Sequence, residues 1–374
     1  MKNKKLLWLI SILLILACTL PSALTMQEVR PTSTLPPSPD GSLVLAQPGA
    51  TATRTPFLPL SPTATYLPTA YPTPTLAPSP TPTDTPLPEF IEGQSKSWSD
   101  YPGPIIWPDI NIPPPMGILP QPRGQVNILL LGSDQRPYTG GFRTDTILLL
   151  TVNPAQGNIN LTSFPRDLYV YIPGWTVHRI NTAFGQGDFE ALATTMEYNF
   201  GVRPDYYFLI NFWSFKEVID SLGGIDVKIG KDFCDHRDDW GTFCVSQGPV
   251  YHMDGETALW YVRARYSTSD FDRGRRQQEV ILAGIEKLIS IHAISKAAEL
   301  YEIYRDSVTT NMEFDDMLRM LPMAGSFSNL ENIHHYYIGR EQVTPWVNYN
   351  GAQVLLPIRE AVLEIMQQVL NSSN

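Results

Sequence analysis

Between residues 125 and 374 the chain alternates short unbroken apolar runs with longer stretches of helical period. Residues 126–131, closed by Gly132, and residues 146–152 are apolar runs of strand length, which suits strands covered on both faces. Residues 158–162 form a weaker third strand, in which Ile159 and Leu161 alternate with polar neighbours. A helix is predicted over 189–200, capped by Asp188 and stopped by Gly201. Residues 206–212 return to strand, 213–222 predict a helix ended by Gly223-Gly224, and 225–229 alternate as a strand. Beyond a loop, 255–265 open as a short helix. A long helix is predicted over 276–290, with Val280, Ile281, Ile285 and Leu288 on its apolar face, and a last one over 356–370. Sheet and helix alternating over this length predict an α/β domain, a three-layer α/β/α sandwich around a central mixed sheet. The chain contains neither the Gly-x-Gly-x-x-Gly fingerprint nor the Gly-x-x-x-x-Gly-Lys loop, which argues against a nucleotide fold.

The first part of the chain follows a different pattern. Lys2, Lys4 and Lys5 precede an apolar run over 6–17, the layout of an export signal. Extended to residue 24, the run reaches the ~20 residues that span a bilayer. Residues 15–18, Ile-Leu-Ala-Cys, also read as a lipobox with Cys18 as the acylated residue. A retained anchor, a lipoprotein signal ending at Cys18 and a cleaved signal therefore all stay open over residues 1–24. In each case the charge asymmetry places the rest of the chain outside the cytoplasm, at the cell membrane for the two anchored forms. Residues 25–120 are a Pro/Thr/Ser linker; 25 of the 34 prolines precede residue 131. Such a composition favours extended polyproline geometry and buries too little apolar area to form a core. Its more aromatic end, 90–122, is compatible with packing against the edge of the domain over 121–374.

Charge and cysteines narrow the function. With 27 Lys+Arg against 37 Asp+Glu the net charge is -10, which excludes a surface built to coat nucleic acid. Cys18 apart, the two cysteines are Cys234 and Cys244; in an oxidising compartment they are expected to pair. Asp235, His236, Asp238 and Asp239 nearby do not complete a zinc spacing.

The candidate chemistry gathers at strand ends, where open α/β sheets build sites. Asp134 follows one predicted strand and Asp145 opens the next, so the pair could hold an oxygen-preferring cation such as Mg2+. Capping, or ion pairing with Arg136 and Arg143, is the simpler alternative. Arg166 stands just past the third strand. Arg263 and Arg265 share one side of an extended segment, while Arg273, Arg276 and Gln277 share a helix face. No lysine falls between Arg263 and Arg276, which favours planar phosphate-binding forks over a solvated face. His178 is the one histidine near these segments and reads as structural. Together these residues suggest metal-assisted work on a phosphate or pyrophosphate.

These same residues resemble the LytR-CpsA-Psr family, bacterial enzymes that attach glycopolymers to the cell wall. The resemblance covers about residues 123–290. Its blocks are residues 127–136, Asn-Ile-Leu-Leu-Leu-Gly-Ser-Asp-Gln-Arg; Arg143-Thr144-Asp145-Thr146; Pro165-Arg166-Asp167; Leu222-Gly223-Gly224-Ile225; Asp254 to Leu259; Tyr261-Val262-Arg263-Ala264-Arg265; and Asp270 to Gln278. It implies a phosphotransferase, with a glycopolymer donor on a polyprenyl pyrophosphate and a hydroxyl of peptidoglycan as acceptor. It also implies magnesium at Asp134 and Asp145, and catalytic roles for these with Arg166 and Arg263. Substrate contacts would come from Arg143, Arg265, Asp270, Arg273, Arg276 and Gln277, and the prenyl tail would need a long apolar pocket between sheet and helices. Asp272 replaces the glycine of the family's usual Asp-Phe-Gly-Arg stretch and adds a charge there. A hydrolase acting on the same donor and a non-catalytic binding module are the rival readings; the oligomeric state is not legible.

Overall fold

The computed structural model describes residues 90–135, 143–153, 157–238, 241–264, 269–289, 308–313, 315–316 and 332–371. The export signal, Cys18 and most of the linker lie outside them. Among the described residues no helix is long and apolar enough to cross a membrane.

In chain order the first strands are β1 (Phe90–Ile91), β2 (Gln121–Pro122), β3 (Val126–Ser133), β4 (Thr144–Asn153), β5 (Asn158–Ser163), β6 (Tyr169–Tyr171) and β7 (Val177–Arg179). Helix α1 (Ala183–Phe200), β8 (Tyr206–Asn211), helix α2 (Phe212–Ser221), β9 (Ile225–Lys228), β10 (Phe233–Arg237), β11 (Gly241–Val245) and β12 (Val250–Met253) follow. Then come α3 (Gly255–Arg263), α4 (Asp270–Ile289), β13 (Val308–Thr310), β14 (Ile333–Tyr337), β15 (Val343–Val347), β16 (Gln353–Pro357) and α5 (Arg359–Asn371).

Six strands form the central sheet in the order β13-β8-β3-β4-β5-β14. It is mixed: β3 runs parallel to β8 and β5 to β14, while β4 is antiparallel to both β3 and β5. The period of two along each strand sorts the apolar runs onto two faces. Leu129, Leu131, Ile147 and Leu149 join the cluster holding Leu192, Met196 and Phe200 of α1 and Val362, Met366 and Val369 of α5. Their neighbours Ile128, Leu148, Leu150, Ile159 and Leu161 face the opposite way, against Ile281 and Leu282 of α4. An unbroken apolar run is therefore what a middle strand of a three-layer sandwich needs, as the sequence predicted. A further cluster joins β9, β10 and β11 to α2, α3 and α4 through Val227, Phe233, Val245, Tyr261 and Val280.

Several boundaries differ from expectation. Helix α4 begins at Asp270, not at residue 276; Asp270 and Asp272 in its first turn suit the positive end of the helix dipole. Helix α1 begins before residue 189, because a helical piece from Ala183 is joined to the predicted one across a kink at Gly187 and Asp188. Residues 356 and 357, the start of the predicted last helix, instead end strand β16, which pairs with β15; α5 starts only after Pro357.

Residues 91–122 pack on the domain, so the folded part starts before the linker boundary expected at residue 120. Glu197 of α1, almost fully buried, receives Lys96 and the Tyr101 hydroxyl, the latter at 2.9 Å. Those two partners hold its carboxyl below the ordinary value, against the opposing effect of burial. The amides of Met116 and Leu119 donate to the carbonyls of Tyr198 and Gly201, each at 2.8 Å. Gly201 ends α1 with φ of 72°, and a Cβ there would lie 2.4 Å from Leu119 Cγ, so both turn and packing demand glycine.

Candidate active site

One edge of the sheet collects the C-terminal ends of β3, β5 and β8 with the start of β4, since β4 runs the other way. Gly132 pairs with Thr146 and Ser133 with Thr144, leaving Asp145 as the extra residue of a β-bulge. A bulge breaks strict alternation and re-aims a side chain, a device common beside active sites. Gly132 contributes as well: a Cβ there would stand 3.0 Å from Thr146 Oγ1, the atom that accepts a 2.8 Å hydrogen bond from Gln277 Nε2.

A polar cavity of about 620 Å³ opens at this edge, lined among others by Asp134, Arg143, Asp145, Arg166, Arg263, Arg273 and Gln277. The chain thus brings residues from β4, two loops and two helices together. Asp145 Oδ2 accepts from Arg166 Nη1 at 2.8 Å, and its Oδ1 accepts from Asn181 Nδ2 at 2.9 Å. Asp134 binds both the amide of Arg143, at 2.7 Å, and its guanidinium, at 3.2 Å. Arg166 also lies near Asp167 (3.5 Å) and Asp270 (3.8 Å), and Arg273 Nη1 is 2.9 Å from Asp270. Burial opposes the charge on Arg166, but Asp145, Asp167 and Asp270 outweigh it and hold its pKa above the ordinary value. For the more deeply buried Arg273 desolvation wins and the pKa is lowered, despite Asp270. Arg263 remains exposed at the end of α3, its guanidinium 4.1 Å from the ring centroid of Phe212. Asn211 caps α2 and Asp254 caps α3, each accepting from a backbone amide, which sets these two helix starts beside the cavity.

The structure places Arg276 elsewhere. It is fully buried, donates to the carbonyls of Tyr261 and Ala264, and stacks 3.8 Å over Phe233, so it ties α4 to the segment after α3 and does not line the cavity. Its spacing from Arg273 put it on the same helix, but three positions turn it past the face that lines the site. Burial drops its pKa to about 10. Arg265 and Arg136 lie outside the described residues. Asp272 pairs with Arg275 (3.4 Å), Arg276 (3.9 Å) and Lys231 (3.9 Å) and lines a different cavity from Arg166, Arg263 and Arg273. His178 is half-buried against Trp175 and Thr182, as a structural residue would be.

Sequence reasoning missed Asn181 as the second partner of Asp145, Arg179 as a partner of Asp167 (3.0 Å), and the hairpin residues His236 and Arg237 in the cavity wall. No spacing links these to the motif residues; only the fold does. Asp167 stood in a recognised block without a role. Burial, then a hydrogen bond with Asp270, raises its pKa in spite of Arg166 and Arg179.

Among the described residues no group of three or more His, Cys, Asp or Glu is arranged to hold a metal. Asp134 and Asp145 do supply hard oxygen donors to one cavity, which fits magnesium held by one or two carboxylates with substrate phosphates and water completing its shell.

A mixed α/β sandwich thus brings aspartates and arginines from distant parts of the chain to one polar cavity. The chain belongs to the LytR_cpsA_psr family, whose model matches residues 107–369. It is 35% identical over 214 residues to the polyisoprenyl-teichoic acid–peptidoglycan teichoic acid transferase TagU of Oceanobacillus iheyensis, covering 55% of this chain and 65% of that protein. It is 32% identical over 193 residues to the regulatory protein MsrR of Staphylococcus aureus, covering 50% of this chain and 57% of that one. Among solved structures, TagV of B. subtilis superposes with a TM-score of 0.55 at 26% identity, over 67% of this chain and 98% of TagV. TagU of B. subtilis gives 0.51 at 26%, over 67% and 97%.

Proposed function

We propose that this protein is a phosphotransferase that moves a glycopolymer from a polyprenyl pyrophosphate carrier to a hydroxyl of peptidoglycan, at the outer face of the cell membrane. The observation that carries this reading is the convergence of Arg166, Arg263 and Arg273 with Asp134, Asp145 and Gln277 on one cavity. The relative named as a teichoic acid transferase acting between polyisoprenyl-linked polymer and peptidoglycan supports the substrate class.

Arg166 and Arg273 would grip the pyrophosphate oxygens, and Gln277 would add a neutral donor. Their carboxylate partners keep the guanidiniums in place before substrate arrives, so little reorganisation is needed as charge develops. Exposed Arg263, steadied by Phe212, would reach the phosphoryl group being transferred. Magnesium at Asp134 and Asp145 would supply charge neutralisation on the phosphate oxygens. The acceptor oxygen bonds to the sugar-linked phosphorus and the bond from that phosphorus to the bridging oxygen breaks. A phosphodiester and polyprenyl phosphate result. Asp134, partly exposed beside Arg143, or Asp145 would take the hydroxyl proton.

A small chamber that shares Asp145, Arg273 and Gln277 with the cavity is lined by Phe164, Pro165, Phe271 and Ile338 together with Ser163 and Asp270, and has room for about 20 Å³. A prenyl chain does not fit that volume, so this chamber is not the long pocket expected from the substrate.

The test combines the full-length protein with a polyprenyl-pyrophosphate-linked sugar, magnesium and a peptidoglycan fragment, with products followed by mass spectrometry. A sugar-phosphate adduct on the acceptor with released polyprenyl phosphate is the expected result. Free sugar phosphate in place of the adduct would convert the reading to a hydrolase, and binding without either product to a non-catalytic module.

A further inference from the structure

Five large apolar side chains stand in water on two neighbouring loops. Ile105, Ile106 and Trp107 belong to the segment before β2, Val347 ends β15 and Tyr349 lies in the turn to β16; their exposure runs from 56% to 78%. Asp109 ties the loops together, accepting from the Tyr169 hydroxyl at 3.2 Å and from the Tyr349 amide at 3.5 Å. Neither residues 101–108 nor residues 343–352 include a charged side chain. Single exposed apolar residues need no explanation, but a group of them on an uncharged surface marks a place where something docks.

The backbone of both loops is closed inward. The amides of Ile105 and Ile106 both donate to the carbonyl of Trp175, at 2.9 and 3.1 Å, and Pro104 and Pro108 on either side have no N–H to satisfy. In the turn, Asn348 Oδ1 accepts from the amides of Asn350 (3.1 Å) and Ala352 (2.8 Å), and Gly351 donates to the Asn348 carbonyl at 2.9 Å. Unsatisfied backbone amides are what normally keep a loop in water. Here the groups that face outward are side chains, aliphatic beside aromatic, the composition that settles between lipid headgroups and acyl chains. A glycan platform would set side-chain hydrogen-bonding groups beside its rings, and residues 104–108 offer none beyond the indole N–H.

The chain ahead of the loops supplies the occupant. Read from sequence, an export segment over residues 1–24 is joined to Phe90 by a Pro/Thr/Ser tether, which reaches on the order of 200 Å when extended. Such a tether keeps the domain near the bilayer without seating it there; a second, weak contact does so. The turn bearing Tyr349 is fastened beside the cavity. Leu355 donates its amide to the carbonyl of Asp167, next to Arg166, at 3.0 Å, and Arg179 donates to the carbonyl of Gln353 at 2.9 Å. We propose that these two loops are a membrane-docking surface, which dips Trp107 and Tyr349 into the interfacial layer of the bilayer. The attraction is apolar, since neither loop carries a cation for anionic headgroups. It holds whether the cavity transfers its donor or hydrolyses it.

The experiment places the full-length protein in phosphatidylcholine vesicles and compares tryptophan emission in ordinary lipid with emission in lipid brominated on the acyl chains near the headgroup, which quenches on contact. Trp8, in the export segment, is quenched alike in every variant. The parent should lose a share of emission that Trp107→Phe does not lose, and about 1 M salt should leave that share unchanged. Replacing Ile105 and Ile106 together by Ser should restore Trp107 emission without moving the unfolding midpoint. Equal quenching of the parent and Trp107→Phe overturns the docking surface, as does quenching that salt abolishes or that the two serines leave intact. Trp107 emission that responds to protein dilution and not to brominated lipid would assign the surface to a second copy of the chain and overturn the proposal. Emission that shifts with a peptidoglycan fragment and not with lipid would overturn it in favour of a glycan.

Discussion

Arg166 reaches across from the loop after β5 to place Nη1 2.8 Å from Oδ2 of Asp145, the bulged residue of the neighbouring strand. The contact joins an arginine expected to bind phosphate to a carboxylate expected to hold magnesium, and each sets the other's position. Replacing Asp145 by Asn keeps the shape but removes the charge. Transfer should fall by about a hundredfold or more, because positioning and charge stabilisation are lost together. The stability cost should be only about 1–2 kcal/mol, since Asp167 and Asp270 still face Arg166. Turnover against magnesium concentration checks the metal role: stimulation persisting in Asp145→Ala would move the metal to other ligands.

Arg263 and Arg276 look alike in sequence and should behave oppositely. Arg263→Ala should abolish transfer while leaving the unfolding midpoint within about 0.5 kcal/mol of the parent, because its side chain is exposed. Arg276→Ala should destabilise by roughly 2–5 kcal/mol, through a cavity and two orphaned carbonyls. Denaturant titrations of both variants decide it; a stable, inactive Arg276→Ala would return that residue to the site.

Glu197 makes the segment before β3 part of the fold. A chain beginning at Gly124 removes Lys96 and Tyr101 from a carboxylate that is 2% exposed, along with the backbone bonds to Met116 and Leu119. It should be less stable by about 3 kcal/mol or more than a chain beginning at Phe90. Equal thermal midpoints for the two would show that the segment is decoration.

Asp167 should give a pH signature. Its raised pKa means that the native state holds the proton more tightly than the unfolded chain does. The resulting stabilisation is complete below the unfolded value of about 4 and is lost as pH rises through the folded value. Asp167→Asn does not titrate, so its stability relative to the parent should increase as pH rises from the unfolded carboxylate value of about 4 through the higher folded one. A difference that stays constant, or shrinks with rising pH, would mean that Arg166 and Arg179 dominate the environment of Asp167.

Much of this protein is determined by sequence that acts locally. Unbroken apolar runs at 126–131 and 146–152 specify strands buried on both faces, and Gly201, Asn211 and Asp254 mark helix ends with their own side chains or lack of one. Motif residues bracket the strand ends at which a site forms. Tertiary structure decided what spacing cannot express. The bulge at Asp145 exists only because β3 and β4 pair in one register. Asn181 finds Asp145 only because a turn before α1 packs under the start of β4. Arg276 is structural, and Arg273 faces the cavity, because helix α4 is seated against the sheet on one side and against Tyr261 and Phe233 on another. Residue type and period state which side chains can carry a charge or fill a core; which of two buried arginines three positions apart lines the cavity depends on the surfaces that close around the helix, and those come from distant parts of the chain.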